Sequence, residues 1–161
     1  METFRKILVA IDLSDYSPDT MKCAAGLADN LKVELVVANI INQRDLEAFE
    51  QLAAKTGYSL GEFLEHRESA RAQRIQALID EAGCAHLSVT KVSRIGVPFL
   101  KLIEIVEDEG ADLVVMGAKG RGNVAGIFFG SVAEKMFRHC PVPVLNVRHR
   151  EGVGRLRDSN K

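Results

Sequence analysis

One stretch restricts the fold of this chain more than any other. The apolar run Leu113-Val114-Val115-Met116 leads into a glycine-rich segment, Gly117 to Gly130, and then into Ser131-Val132-Ala133-Glu134. Four consecutive apolar residues, two of them β-branched, suit a parallel strand buried on both faces. Ser131-x-x-Glu134 has the spacing of a capping box, so the sequence predicts a helix starting there. A buried strand handed to a helix through a long loop points to the α/β class. In open sheets of that class, ligands gather outside the carboxyl ends of the strands.

The residue types in the loop suggest which ligands. Gly117, Gly120, Gly122, Gly126 and Gly130 lack Cβ, so they can take positive φ and let a phosphate approach the main chain. A helix's first N–H groups have no intrahelical acceptor and carry the positive end of the macrodipole. Gly130 and Ser131 are expected to present such groups, with the Ser131 hydroxyl as a further donor. Lys119 and Arg121 supply positive charge for a polyphosphate. The plainer reading is a flexible loop before an ordinary capped helix, and the density of glycine argues against it. Two familiar phosphate motifs do not account for the segment. Gly117 and Gly122 have P-loop spacing, but Asn123 stands where that motif needs lysine. Gly120-x-Gly122-x-x-Ala125 fits a dinucleotide fingerprint formally, yet the residue twenty further on is Leu145 and not an acid.

The rest of the chain alternates strands and helices. Lys6 to Ile11 reads as a first buried strand ending at Asp12. Ser17-Pro18 signals a helix start, with Met21, Ala24, Ala25, Ala28 and Leu31 on its buried face. Val33 to Ile41 reads as a second strand. Between Asn42 and Glu81 the chain is polar and helix-prone. A short amphipathic piece carries Leu46, Phe49, Leu52 and Ala53, and a break follows from Gly57 to Gly61. A longer helix over Phe63 to Ala82 then places Ile75, Leu78, Ile79 and Ala82 inward, with Gly83 as its cap. Glu65, Arg67, Glu68, Arg71 and Arg74 are expected to form a solvated face of that helix. His66 and His86 lack metal-ligand spacing and are taken as surface residues. His86 to Ile95 suits an edge strand. Pro98 opens a helix with Phe99, Leu102, Ile103 and Val106 inward, ended by Gly110. A short helix over Ser131 to His139 precedes a last strand, Val142 to Val147. Such alternation implies parallel βαβ units with right-handed crossovers.

Whole-chain properties exclude several classes. A length of 161 residues suits one domain, and 47% hydrophobic with 27% charged residues reads as globular. A formal net charge of −1 gives no electrostatic reason to expect nucleic acid or an anionic membrane as partner. No apolar run approaches the ~20 residues of a membrane span, and Met1 to Lys6 has no signal-peptide character. Cys23, Cys84 and Cys140 are scattered and form no C-x-x-C, as expected of reduced thiols in a cytoplasmic protein.

The loop resembles the universal stress protein family, in its nucleotide-binding branch. That family's signature, G-x2-G-x9-G-[ST], is matched by Gly117, Gly120, Gly130 and Ser131. The flanks Ala111 to Met116, Glu134-Lys135 and Cys140-Pro141-Val142-Pro143-Val144 are similar too. The likeness runs from Lys6 to Arg148, with weaker support between Asn42 and Gly83. Asn39 departs from a histidine common at that position. The resemblance implies a Rossmann-like fold: a single open five-stranded parallel sheet of order 3-2-1-4-5, with helices on both faces. It also implies a domain over residues 1–148 and leaves a polar tail, 149–161, expected to be disordered. Asp12 and Gly117 would face each other across a crevice between the first and fourth strands.

The implied site comprises Ala10, Asp12, Ile40, Met116, Gly117, Gly120, Arg121, Gly130, Ser131 and Val132. No catalytic residue and no protein metal ligand is expected. The residue matching Asp12 lies beside the adenine and ribose in the family, although Asp12 also suits a purely structural role in its turn. Ile40 matches a residue of the adenine pocket and equally suits the core. The expected ligand is ATP, with Mg2+ or Mn2+ held mainly by its phosphates. The expected function is that of a stress-response sensor or regulator with at most slow hydrolysis. The alternative is a dimeric interaction module that binds no nucleotide. A nucleotide hydrolase or transferase is disfavoured, because no catalytic base is evident near the loop. A homodimer through the Val142–Val147 edge strand is expected, with Pro141 and Pro143 as counter-evidence.

Overall fold

The computed structural model describes residues 3–119 and 129–149. Five strands form one parallel sheet in the order β3-β2-β1-β4-β5. The strands are β1 (Lys6–Ala10), β2 (Glu34–Asn42), β3 (Val89–Gly96), β4 (Leu113–Gly117) and β5 (Val144–Val147). The connecting helices are α1 (Ser17–Leu31), α2 (Gln43–Thr56), α3 (Leu60–Glu81), α4 (Pro98–Glu109) and α5 (Ser131–His139). The expected fold class and strand order are both observed.

Side-chain alternation along the strands divides the core in two. Ile7, Val9, Leu35, Val37, Leu113 and Val115 point to one face and pack against α1 and α3. Leu8, Val36, Ala38, Val114 and Met116 point to the other and pack against α4 and α5. Both faces of β1, β2 and β4 are therefore apolar, which explains why these runs lack a polar alternation. The outer strand β3 is exposed or half-buried along its length except at Gly96, as an edge strand should be.

Several boundaries differ from expectation for identifiable reasons. The second long helix starts at Leu60 and not Phe63, because the Ser59 side chain accepts a hydrogen bond from the Glu62 N–H at 3.4 Å and caps it. Gly61 thus lies inside the helix. Leu31, expected in the core, is 45% exposed because it is the last residue of α1. The last strand begins at Val144. Pro143 precedes it and contributes its carbonyl, which accepts the Val114 N–H at 2.9 Å. The inward residues of α4 include Ile105, fully buried although absent from the expected face.

Asp112 ties the start of β4 to the start of β1 by accepting the N–H groups of Arg5 (2.8 Å) and Lys6 (3.2 Å). The three cysteines are free thiols, and burial pushes each thiol pKa upward. Beyond β5, His149 is in place, bonded to Asp19 and set edge-on to Tyr16. The expected disordered tail lies outside the described residues from position 150.

Candidate functional site: a crevice between the first and fourth strands

Connections leave β1 for β2 on one side, and the chain returns to β4 on the other. The sheet therefore has its switch point between β1 and β4, where a crevice opens at the carboxyl ends. A cavity of about 680 Å³ occupies it. Ala10, Asp12, Ile40, Met116, Gly117, Gly130, Ser131 and Val132 all line this one cavity. Gly120 and Arg121, like Gly122 and Gly126, lie outside the described residues.

The Asp12 carboxylate accepts the Ser14 N–H at 3.0 Å and the Ser17 hydroxyl at 3.2 Å. It thereby shapes the turn from β1 into α1, so its structural role is real, and it also lines the cavity. Ile40 likewise serves both alternatives, lining the cavity while packing on the core between the sheet and α4.

Gly117 does not use positive φ, contrary to expectation. A Cβ there would sit 2.9 Å from the Lys119 carbonyl oxygen and 3.4 Å from the Thr20 hydroxyl, so close approach is what requires glycine. Gly130 is also different from expectation. Its φ is −69°, and its N–H donates to the Ala118 carbonyl at 2.7 Å, closing the base of the glycine-rich loop. That N–H is consequently committed. The amides left to face a ligand are those of Ser131, Val132 and Ala133 in the first turn of α5, all three of which line the cavity.

The capping box is absent too. Gly130 is the N-cap of α5, with no side-chain cap, and Glu134 pairs with Arg138 at 2.9 Å. Ser131 is the first helical residue, which leaves its hydroxyl to the cavity. Ser131→Ala is therefore expected to change stability by less than about 0.5 kcal/mol. An anionic ligand that accepts from that hydroxyl would lose one charge-assisted hydrogen bond, about 1.5–3 kcal/mol of binding. Thermal melts beside calorimetric titrations of the same preparation check both.

Sequence reasoning missed Tyr16, Thr20, Asn42, Asp45 and Pro98, which also line the cavity. Tyr16 and Thr20 are four residues apart at the start of α1, and the Thr20 hydroxyl donates to the Tyr16 carbonyl at 3.1 Å. Asn42 caps α2 by accepting the Arg44 N–H at 3.1 Å, and an asparagine at the end of a strand was a readable signal for this. Strand order spreads the charges along the crevice. Asp45 follows β2, Asp12 follows β1, and Lys119 follows β4, so the cavity runs from an acidic end to a basic one. Two interstrand steps of ~4.8 Å separate those ends at the sheet edge. Among the described residues, no group of three histidine, cysteine or acidic side chains gathers to hold a metal. No helix among them is long and apolar enough to cross a membrane.

Known proteins share this fold. A curated universal stress protein of Methanocaldococcus jannaschii is 29% identical over 152 residues, covering 92% of this chain and 85% of the relative. The solved structure of another universal stress protein of that organism superposes with a TM-score of 0.75 at 23% identity, covering 92% of this chain and 99% of that one. A universal stress protein from Archaeoglobus fulgidus, solved in complex with dAMP, has a TM-score of 0.55 at 17% identity, covering 90% and 98%. The model of the universal stress protein family matches residues 3–148, so nearly the whole described chain falls within it. The chain belongs to the universal stress protein family.

Proposed function

We propose that this is a cytoplasmic stress-response sensor or regulator that binds ATP in the crevice between β1 and β4. The observation that carries the reading is the convergence of eight of the ten expected site residues on one cavity, whose lining includes the first turn of α5. Those amides and Lys119 suit phosphates. The apolar wall of Ala38, Ile40, Pro98 and Leu102 suits a base, and Asp12 and Asp45 suit hydroxyl or amino donors. Gly120 and Arg121 belong to the same proposed site, as do Mg2+ or Mn2+ held mainly by the phosphates. The dAMP complex of the Archaeoglobus relative supports an adenine nucleotide in this fold. Mass spectrometry of small molecules released from gently purified protein tests the reading. Recovery of an adenine nucleotide is expected. Recovery of none, with no uptake of added ATP, would favour the interaction module instead.

Hydrolysis in this reading is slow, well below about one turnover per second. Efficient phosphoryl transfer needs a positioned base, a held metal and cations on the developing charge. Of the cavity's two described carboxylates, Asp12 is engaged by Ser14 and Ser17, and Asp45 stands at the far end from Lys119. Steady-state phosphate release measures this. Turnover of several per second in wild type, lost in a binding-deficient variant, would make the protein an enzyme.

The proposal extends to a homodimer through β5. Leu145 on this edge is 39% exposed, and Phe137 on the adjacent α5 is 73% exposed. Pro141 and Pro143 lie before β5, so neither removes a donor from Val144–Val147. Light scattering at micromolar concentration is expected to find twice the 17.7 kDa chain mass. A purely monomeric species with and without ATP would refute the dimer.

A further inference from the structure

The turn that carries Asp12 is held from outside the cavity. Leu13 adopts φ +61°, a left-handed conformation uncommon for a bulky residue, yet it is buried to 5% exposure. Both flanking carbonyls are gripped. The Ile11 carbonyl accepts from Asn39 Nδ2 at 2.7 Å, and the Leu13 carbonyl accepts from Arg74 Nη2 at 2.8 Å. Asn39 is 1% exposed in the middle of β2, and its Oδ1 in turn accepts from Arg71 Nη1 at 3.0 Å. Arg71 and Arg74 lie one turn apart on α3, so a single helix face reaches both ends of the chain of bonds. None of these three side chains lines the cavity.

A strained backbone persists only where its surroundings over-determine it. Here the Arg74 guanidinium, a charged donor stronger than a neutral one, holds the Leu13 carbonyl, and the Asn39 amide, itself bonded by Arg71, holds the Ile11 carbonyl. We infer that Asn39, Arg71 and Arg74 are positioning residues that hold the Asp12 turn in the shape that receives the adenosine end of the nucleotide. This rests on the nucleotide reading above. It assigns α3, none of whose residues lines the cavity, a role in setting affinity.

The test uses Arg74→Met, with Arg74→Lys as the variant that keeps a charged donor. Hydrogen exchange of the unliganded full chain reads the turn directly, because the Ser14, Tyr16 and Ser17 amides are all bonded within it. Exchange of these amides is expected to rise about ten-fold in Arg74→Met, with the β1 and β4 amides unchanged. ATP affinity should fall about ten-fold, while inorganic tripolyphosphate, which lacks the adenosine end, binds as to wild type. Arg74→Lys should recover most of both effects. Unchanged exchange in the turn, exchange raised uniformly across the sheet, or equal weakening of ATP and tripolyphosphate would overturn the inference. If wild type binds neither ATP nor tripolyphosphate, the nucleotide reading falls, and the exchange pattern still decides whether the clamp holds the turn.

Discussion

Gly130→Val is expected to abolish nucleotide binding while leaving the protein folded. Gly130 stands immediately before the amides of Ser131 and Val132 and lines the same cavity. Its backbone, at φ −69° and ψ 160°, is a conformation valine accepts readily, so no strain accompanies the change. Its N–H keeps its bond to Ala118 in the variant, so the base of the loop stays closed. What changes is the space: two methyl groups stand where a phosphate would meet the helix. Valine is a poor N-cap beside glycine, which costs about 1 kcal/mol. A melting point lower by about 3 °C is therefore expected. ATP affinity should fall by well over two orders of magnitude, more than about 2.7 kcal/mol, which takes binding out of calorimetric range. Calorimetry and melting of one preparation separate these effects. Equal affinity in both proteins would sink the proposed site.

Gly117→Val is expected to damage the fold as well as the site. The obstacle to a side chain there is the Lys119 carbonyl, 2.9 Å from the added Cβ, and a main-chain atom cannot rotate aside. Residues Gly117 to Lys119 must shift as a unit. That shift disturbs the pairing of Gly117 with Val147 and the bond from the Ala118 N–H to the Val147 carbonyl at 2.9 Å. Overpacking of this kind costs about 1–3 kcal/mol, and the melting point should fall by roughly 3–10 °C. ATP binding should be lost with it, because Gly117 and Lys119 both line the cavity. Gly117→Ala should show a smaller loss of the same kind. A Gly117→Val melting point within about 1 °C of wild type would contradict the packing argument.

The contrast between these glycines shows what was legible in the sequence. Buried strands and amphipathic helices leave apolar patterns that a reader can find, so β1, β2, β4 and α4 were recognisable from their residues alone. Strand order is a matter of long-range pairing. It came from the resemblance to a family, and no pattern within the chain encodes it locally. Gly117, Gly130 and Ser131 of the glycine signature line one cavity, but the signature does not say what each glycine does there. At Gly117 the constraint is a carbonyl two residues away, while Gly130 is the N-cap of α5 at the cavity wall. Neither takes the positive φ that glycine content suggests.

Capping misled for a similar reason. Ser131-x-x-Glu134 and Ser59-x-x-Glu62 share one spacing, yet only the second serine caps a helix through its side chain. At the first, Gly130 occupies the cap position because its N–H closes a loop on Ala118, a contact across eleven intervening residues. The arginines of α3 are the clearest omission. Arg71 and Arg74 belong to a run of charge that reads as a solvated face, and their targets, Asn39 and the Leu13 carbonyl, lie 32 and 61 residues away. A long side chain on a helix can reach back to the main chain of another turn, and periodicity does not show which ones do.

The crevice between β1 and β4 is proposed to take an adenine nucleotide. Native mass spectrometry of the full chain, stripped of small molecules and titrated with ATP, tests it most directly. One ATP per chain at saturation is expected in wild type, and no stoichiometric adduct in Gly130→Val under the same conditions. Wild-type protein that stays bare through millimolar ATP, or that takes up ATP equally in both forms, would contradict it.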